Sequence, residues 1–147
     1  MPPQWPLANV WCGVSCEDQP RADERITHLL RTPAAVRFIS AEPLLSPIYL
    51  RRLPMDGGQP ERFGYTAVGI YIDALGDISG HHDKLDWVIV GGESGPKFRA
   101  CDVAWITAIV DQCRDASVPV FVKQDAHRLP GQQGRIPDEY FVHEFPH

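Results

Sequence analysis

Four short apolar runs in this chain each end on a charged residue, and that repetition limits the folds open to it. The run at 10–15 leads to Glu17, and the run at 36–41 leads to Glu42. The run at 87–90 passes through Gly91 and Gly92 to Glu93, and the run at 118–122 leads to Lys123 and Gln124. Strands near 9–15, 35–40, 86–91 and 118–123 alternate with amphipathic helices, a pattern of βαβ units and a parallel sheet. Continuous apolar strands predict burial on both sheet faces, and the crossovers are expected to be right-handed. Parallel strands carry their tips to one rim, where α/β sheets and barrels bind ligands.

The first helix is predicted near 20–31. Asp18 or Gln19 precedes Pro20, a residue suited to a first helical turn. Ile26, Leu29 and Leu30 form its apolar stripe, and Thr32-Pro33 stops it. Asp102 is a plausible N-cap for a helix near 103–115, with Val103, Trp105, Ile106, Ile109, Val110 and Cys113 on one face. The segment between strands two and three, about 48–84, is irregular. Val68, Ile70 and Ile72 alternate with Ala67, Gly69 and Tyr71 and suggest an extra strand or hairpin inside an insertion. One α/β domain over 1–128 and a tail over 129–147 follow from this reading. The tail's Phe141, Val142 and Phe145 either dock on the body or leave the tail mobile.

A chain of 147 residues, 44% hydrophobic and 22% charged, has the size and composition of one globular domain. Its net charge of −5 offers no basic surplus for phosphates, so nucleic acid is not indicated. Arg51-Arg52 and 97–99 are the only small basic clusters. No run approaches the roughly 20 apolar residues of a membrane span, and the N-terminus lacks signal-peptide regions. A cytoplasmic setting with reduced thiols is expected. Cys12 and Cys16, four apart on a strand, have Cα atoms about 13 Å apart, too far for a disulfide and awkward for one tetrahedral metal. They and Cys113 read as small buried side chains. Trp11, Trp87 and Trp105 fall in apolar phase and read as core rather than base-stacking platforms.

The segments Trp5 through Glu17, Ala22-Asp23-Glu24-Arg25-Ile26, Ala34 through Leu45, Asp86 through Gly95 and Val120-Phe121-Val122-Lys123-Gln124 resemble a phage family of unknown function. That family is named after mycobacteriophage gene products thirty-seven and sixty-eight. Its full-length members look like radical S-adenosylmethionine (SAM) proteins, with a cysteine cluster motif in an N-terminal half. The resemblance implies that this chain corresponds to the C-terminal half of a (β/α)8 barrel, roughly strands five to eight. Cys12 and Cys16 do not match the cluster motif. SAM and an iron–sulfur cluster are therefore implied only if a cysteine-motif half is supplied, with none bound by this chain alone. Radical SAM enzymes hold the methionine amino group with a Gly-Gly-Glu element after an early strand, whereas here it follows a late one.

Glu17, Glu42 and Glu93 are expected to converge, raise one another's proton affinity and suit acid–base work, cation binding or recognition of an amino group. Pairing with Arg25, Arg37 or Lys123 is the competing structural role. The 91–95 turn lets a ligand approach the backbone, and its N–H groups suit an anion or carboxylate. The ligand-binding candidates are Glu17, Glu42, Gly91, Gly92, Glu93, Ser94, Lys123 and Gln124. No catalytic residue is assigned, and His81-His82-Asp83 lacks the further ligands of a metal site. A half-barrel exposes strand edges, so a second copy or a protein partner is expected to cover them. The leading reading is a non-catalytic or partner-dependent remnant of a radical SAM-like barrel. Its alternatives are a host-protein-binding phage protein, with the insertion as contact surface, and the substrate-side half of a split enzyme.

Overall fold

The computed structural model describes residues 4–55, 71–76 and 84–147. Strand β1 (Trp11–Ser15) is followed by α1 (Gln19–Leu30) and β2 (Val36–Ala41). Two short strands, β3 (Leu53–Pro54) and β4 (Tyr71–Ile72), precede β5 (Trp87–Gly91), α2 (Val103–Asp115) and β6 (Val120–Gln124). A 3-10 turn at Asp138–Tyr140 lies in the tail.

β1, β2, β5 and β6 form one parallel sheet in that order, and β3 pairs antiparallel with β4. Among the described residues, the hairpin stands where a crossover helix joins the other neighbouring strands. Ile72 lies in it, while Val68, Ile70 and the His81-His82-Asp83 group fall outside the described residues. The helices begin where local chemistry directs. Asp18 is the N-cap of α1 and its carboxylate accepts from the Arg21 N–H at 2.9 Å. Asp102 does the same for α2, accepting from the Ala104 N–H at 2.9 Å.

Burial follows the two-residue period of the strands. Ile39, Ala41, Val88, Val90, Val120 and Val122 are buried with Ala22, Ile26, Leu29 and Leu30 of α1 and Ile106, Ile109, Val110 and Cys113 of α2. Each fully buried Ile or Leu in this layer contributes about 1.5–3 kcal/mol. The opposite face carries Trp11, Gly13, Phe38, Trp87, Ile89 and Phe121, and none of them is fully buried. Burial on both faces, expected from the apolar runs, is thus corrected. Both helices with a buried stripe pack on the same side, and the tail only partly covers the other. Trp11 is 45% exposed and is not core. It meets Trp87 edge-on at 6.0 Å. Trp105 is only partly buried, at the border of the α2 stripe.

The tail docks. The Val122 N–H donates to the Val142 carbonyl at 2.8 Å, and the Glu144 N–H donates to the Val120 carbonyl at 3.0 Å. Phe121 and His143 form an antiparallel bridge with their rings stacked at 4.6 Å. The outer edge of β6 is therefore paired, whereas among the described residues no strand pairs with the outer edge of β1. No helix of the described residues is long and apolar enough to cross a membrane.

Candidate functional site

Because the sheet is parallel, the residues that follow Ser15, Ala41 and Gly91, together with Lys123 and Gln124, leave it at one rim. Glu42 holds the middle of that rim. Its Oε1 accepts from the Ser40 hydroxyl at 2.9 Å and from the Lys123 ammonium at 3.4 Å. Gly91 of the intervening strand is what allows this approach. A Cβ there would stand 3.3 Å from Glu42 Oε2 and 3.3 Å from Lys123 Cβ. The Lys123 side chain is 51% exposed and that of Glu42 20%, so both remain open to a solute.

The other two carboxylates are engaged more fully. Arg25 Nη1 donates to Glu17 at 3.1 Å and to the Ser15 carbonyl at 2.7 Å, and Arg21 lies 4.0 Å from Glu17. Arg99 clamps Glu93 with both ends of its guanidinium, Nη2 to Oε1 at 2.9 Å and Nε to Oε2 at 2.9 Å. Its backbone N–H adds a third bond to Oε2 at 2.7 Å. The Arg99 side-chain bonds, then the backbone bond, pull the Glu93 carboxyl down to about 2. Arg99 is held protonated first by its bond to Glu93, and the charge of Glu17 adds to that hold, which links the first and third tips across the rim. The expected mutual rise in proton affinity therefore fails at Glu93, where the bonds and charge of Arg99 outweigh desolvation.

Gly92 and Gln124 are structural. A Cβ on Gly92 would lie 2.3 Å from the Ala126 nitrogen, so glycine is what lets two backbones touch. Gln124 is buried, donates to the Gly92 carbonyl at 2.9 Å and accepts from the Gly131 N–H at 2.8 Å. The glycine turn also spends donors internally, Gly92 N–H on the Gln124 carbonyl and Gly95 N–H on the His127 carbonyl. That leaves less of the turn for an anion than its sequence suggests. Ser94 is exposed, alongside His127.

Two features of the rim have no periodic signal in the sequence. Arg99 lies in an irregular loop six residues from its partner. Asp125, 2% exposed, is gripped by Arg135 through Nη2 and Nε at 2.9 Å each, and by the Arg135 and Ala126 N–H groups. Burial pushes the Asp125 carboxyl up, but the Arg135 side-chain and backbone bonds and the Ala126 bond bring it below its ordinary value. Ser40, by contrast, is a strand residue two before Glu42, and the strand pattern already places it at the rim.

Three of the four thiols are buried, but Cys12, expected to be buried, is only partly so. Burial pushes Cys16 and Cys113 up to about 12 and Cys101 to about 11, which keeps them protonated. Among the described residues, no three His, Cys, Asp or Glu are placed to hold a metal ion. At Gly91-Gly92-Glu93, Arg99 already bonds both Glu93 oxygens and would compete with an amino group for them.

A family model described as "Protein of unknown function (DUF5131)" matches residues 1–146. The chain belongs to that family. No curated protein and no solved structure matches it. This DUF5131 chain is thus an α/β protein whose strand-end rim offers one lightly held pair, Glu42 and Lys123, among carboxylates tied to arginines.

Proposed function

We propose that this chain is one half of a barrel-type binding protein, derived from a phage-type, radical SAM-like enzyme and non-catalytic without a partner. The observation that carries the reading is the sheet face opposite the helices. It bears Trp11, Phe38, Trp87 and Phe121, none fully buried, and it ends at the Ser40–Glu42–Lys123 group. In a closed barrel that face is the interior and that end is the ligand mouth. A second half laid against it buries the aromatics and shields the Glu42–Lys123 pair, which strengthens the pair's grip on a charged or polar solute. Iron–sulfur chemistry belongs to any cysteine-motif half, since Cys16, Cys101 and Cys113 are buried and their thiols held protonated, and Cys12 and Cys16 do not match the cluster motif. The four free cysteines fit a reducing cytoplasm.

Sedimentation equilibrium over a range of concentrations tests this, with binding of a hydrophobic dye measured in parallel. Reversible association, with dye binding that falls as association rises, is the expected result. A concentration-independent monomer that binds no dye overturns the reading.

A further inference from the structure

We propose that the end of the tail, residues 141–145, is a strap that closes the edge of β6 against β1 of a second copy of this chain. This inference rests on the half-barrel reading. Two copies complete a ring of eight parallel strands only if β6 of each pairs with β1 of the other, because the order within one copy is β1-β2-β5-β6. Both strands suit that joint. β1 is an edge strand of five residues, WCGVS, with no charge and no proline to discourage pairing. Its tip would bring Ser15 and Glu17 beside Lys123, whose side chain is 51% exposed.

The tail stands in the way. Val120 and Val122 spend their outward backbone groups on Glu144 and Val142. The Glu144 carboxylate accepts from the Val120 N–H at 3.0 Å, and its carbonyl accepts from Trp87 Nε1 at 2.8 Å. Phe145 lies over the barrel-interior face, 5.5 Å from Trp87 and 5.4 Å from Phe121. The strap is lightly held at its end, where Phe145 is 56% exposed. It is anchored upstream by Arg135 on Asp125 and Gly131 on Gln124. Release of 141–145 therefore frees the edge and the aromatic face together while the anchor stays in place.

Sedimentation equilibrium of the full chain, of a form ending at Tyr140 and of Glu144→Pro tests the strap. The proline form removes the Glu144 N–H donor without shortening the chain. Amide exchange at Ile89 reports whether the sheet is intact in each. Self-association tightened about tenfold or more in both altered forms, with Ile89 still protected, is the expected result. Association equally tight in all three forms overturns the strap and leaves the half-barrel reading standing. Three monomers that bind no hydrophobic dye overturn both. If the shortened form loses protection at Ile89, Glu144→Pro alone decides between the first two outcomes.

Discussion

The two halves of the strand-end rim are built to different tolerances. On the β5–β6 side, Gly92 rests on Ala126, Gln124 bridges Gly92 and Gly131, Arg135 grips buried Asp125, and Arg99 clamps Glu93. On the β2 side, Glu42 has one hydroxyl and one half-exposed lysine at 3.4 Å. A charged residue at a strand end is therefore not by itself a ligand group. A carboxylate saturated by a neighbouring arginine braces a loop, and one held loosely is free to exchange its partner for a solute.

Breaking the braced side should be costly. Arg135→Ala leaves Asp125 buried with only backbone donors, and we expect a loss of about 2–4 kcal/mol, below the full cost for a buried pair because Arg135 is itself exposed. Urea unfolding measures it. The pH dependence should also weaken. With Arg135 present, the Asp125 carboxyl lies below its unfolded value. Its contribution is full above the ordinary carboxylate range and fades as pH falls through the folded pKa. Without the Arg135 side chain, only the residue-135 and Ala126 N–H groups oppose burial, so less of this acid dependence should remain. An unchanged acid limb would place Asp125 outside the brace.

Gly92→Ala should follow, at about 1–3 kcal/mol, because its Cβ meets backbone that cannot turn away. Gly13→Ala is the control. Its Cβ meets only the far end of the Phe38 ring, at 2.4 Å, on the less buried face. We expect about 1 kcal/mol or less there, because the ring can swing aside. Equal losses at the two glycines would erase the difference between the packed rim and the open face.

The strand-helix alternation and the shared rim were legible because both rest on local periodicity. Ile39, Val88, Val90 and Val122 read as strand interior, and they are. The face carrying Trp11 and Phe121 was not legible. Apolar letters state what a side chain prefers, while coverage depends on where helices and tail finally pack. The Arg99–Glu93 and Arg135–Asp125 pairs were hidden for a related reason. Each joins residues in irregular loops, where no period relates position to direction. Pairing of rim glutamates with Arg25 or Lys123 was expected without saying which took which, and the structure joins Arg25 of α1 to Glu17 and Lys123 of β6 to Glu42.

Glu93→Gln probes the braced side more gently. Arg99 depresses its carboxyl from 4.5 to about 2. The native state therefore resists protonation more than the unfolded chain does. The ionised group favours the fold above about pH 4.5, and this is lost as pH falls toward 2. Removing the carboxylate should flatten that part of a melting-temperature profile and lower proton uptake on acid unfolding. A profile that keeps its slope assigns the acid limb to other groups, Asp125 first among them.

The smallest expected effect is the most informative about function. Glu42→Gln keeps the shape and can still accept from Ser40, and it gives up only a long, half-exposed ion pair. Such pairs contribute about 0–1 kcal/mol, so the unfolding free energy measured in urea should fall by no more than about 1 kcal/mol. If Glu42→Gln instead costs as much as Arg135→Ala, Glu42 is another brace and the contrast across the rim collapses. If the cost is small, the sheet keeps a carboxylate and an ammonium side by side at its mouth with little structural need for either. A group that stability does not require is free to be selected for what it binds.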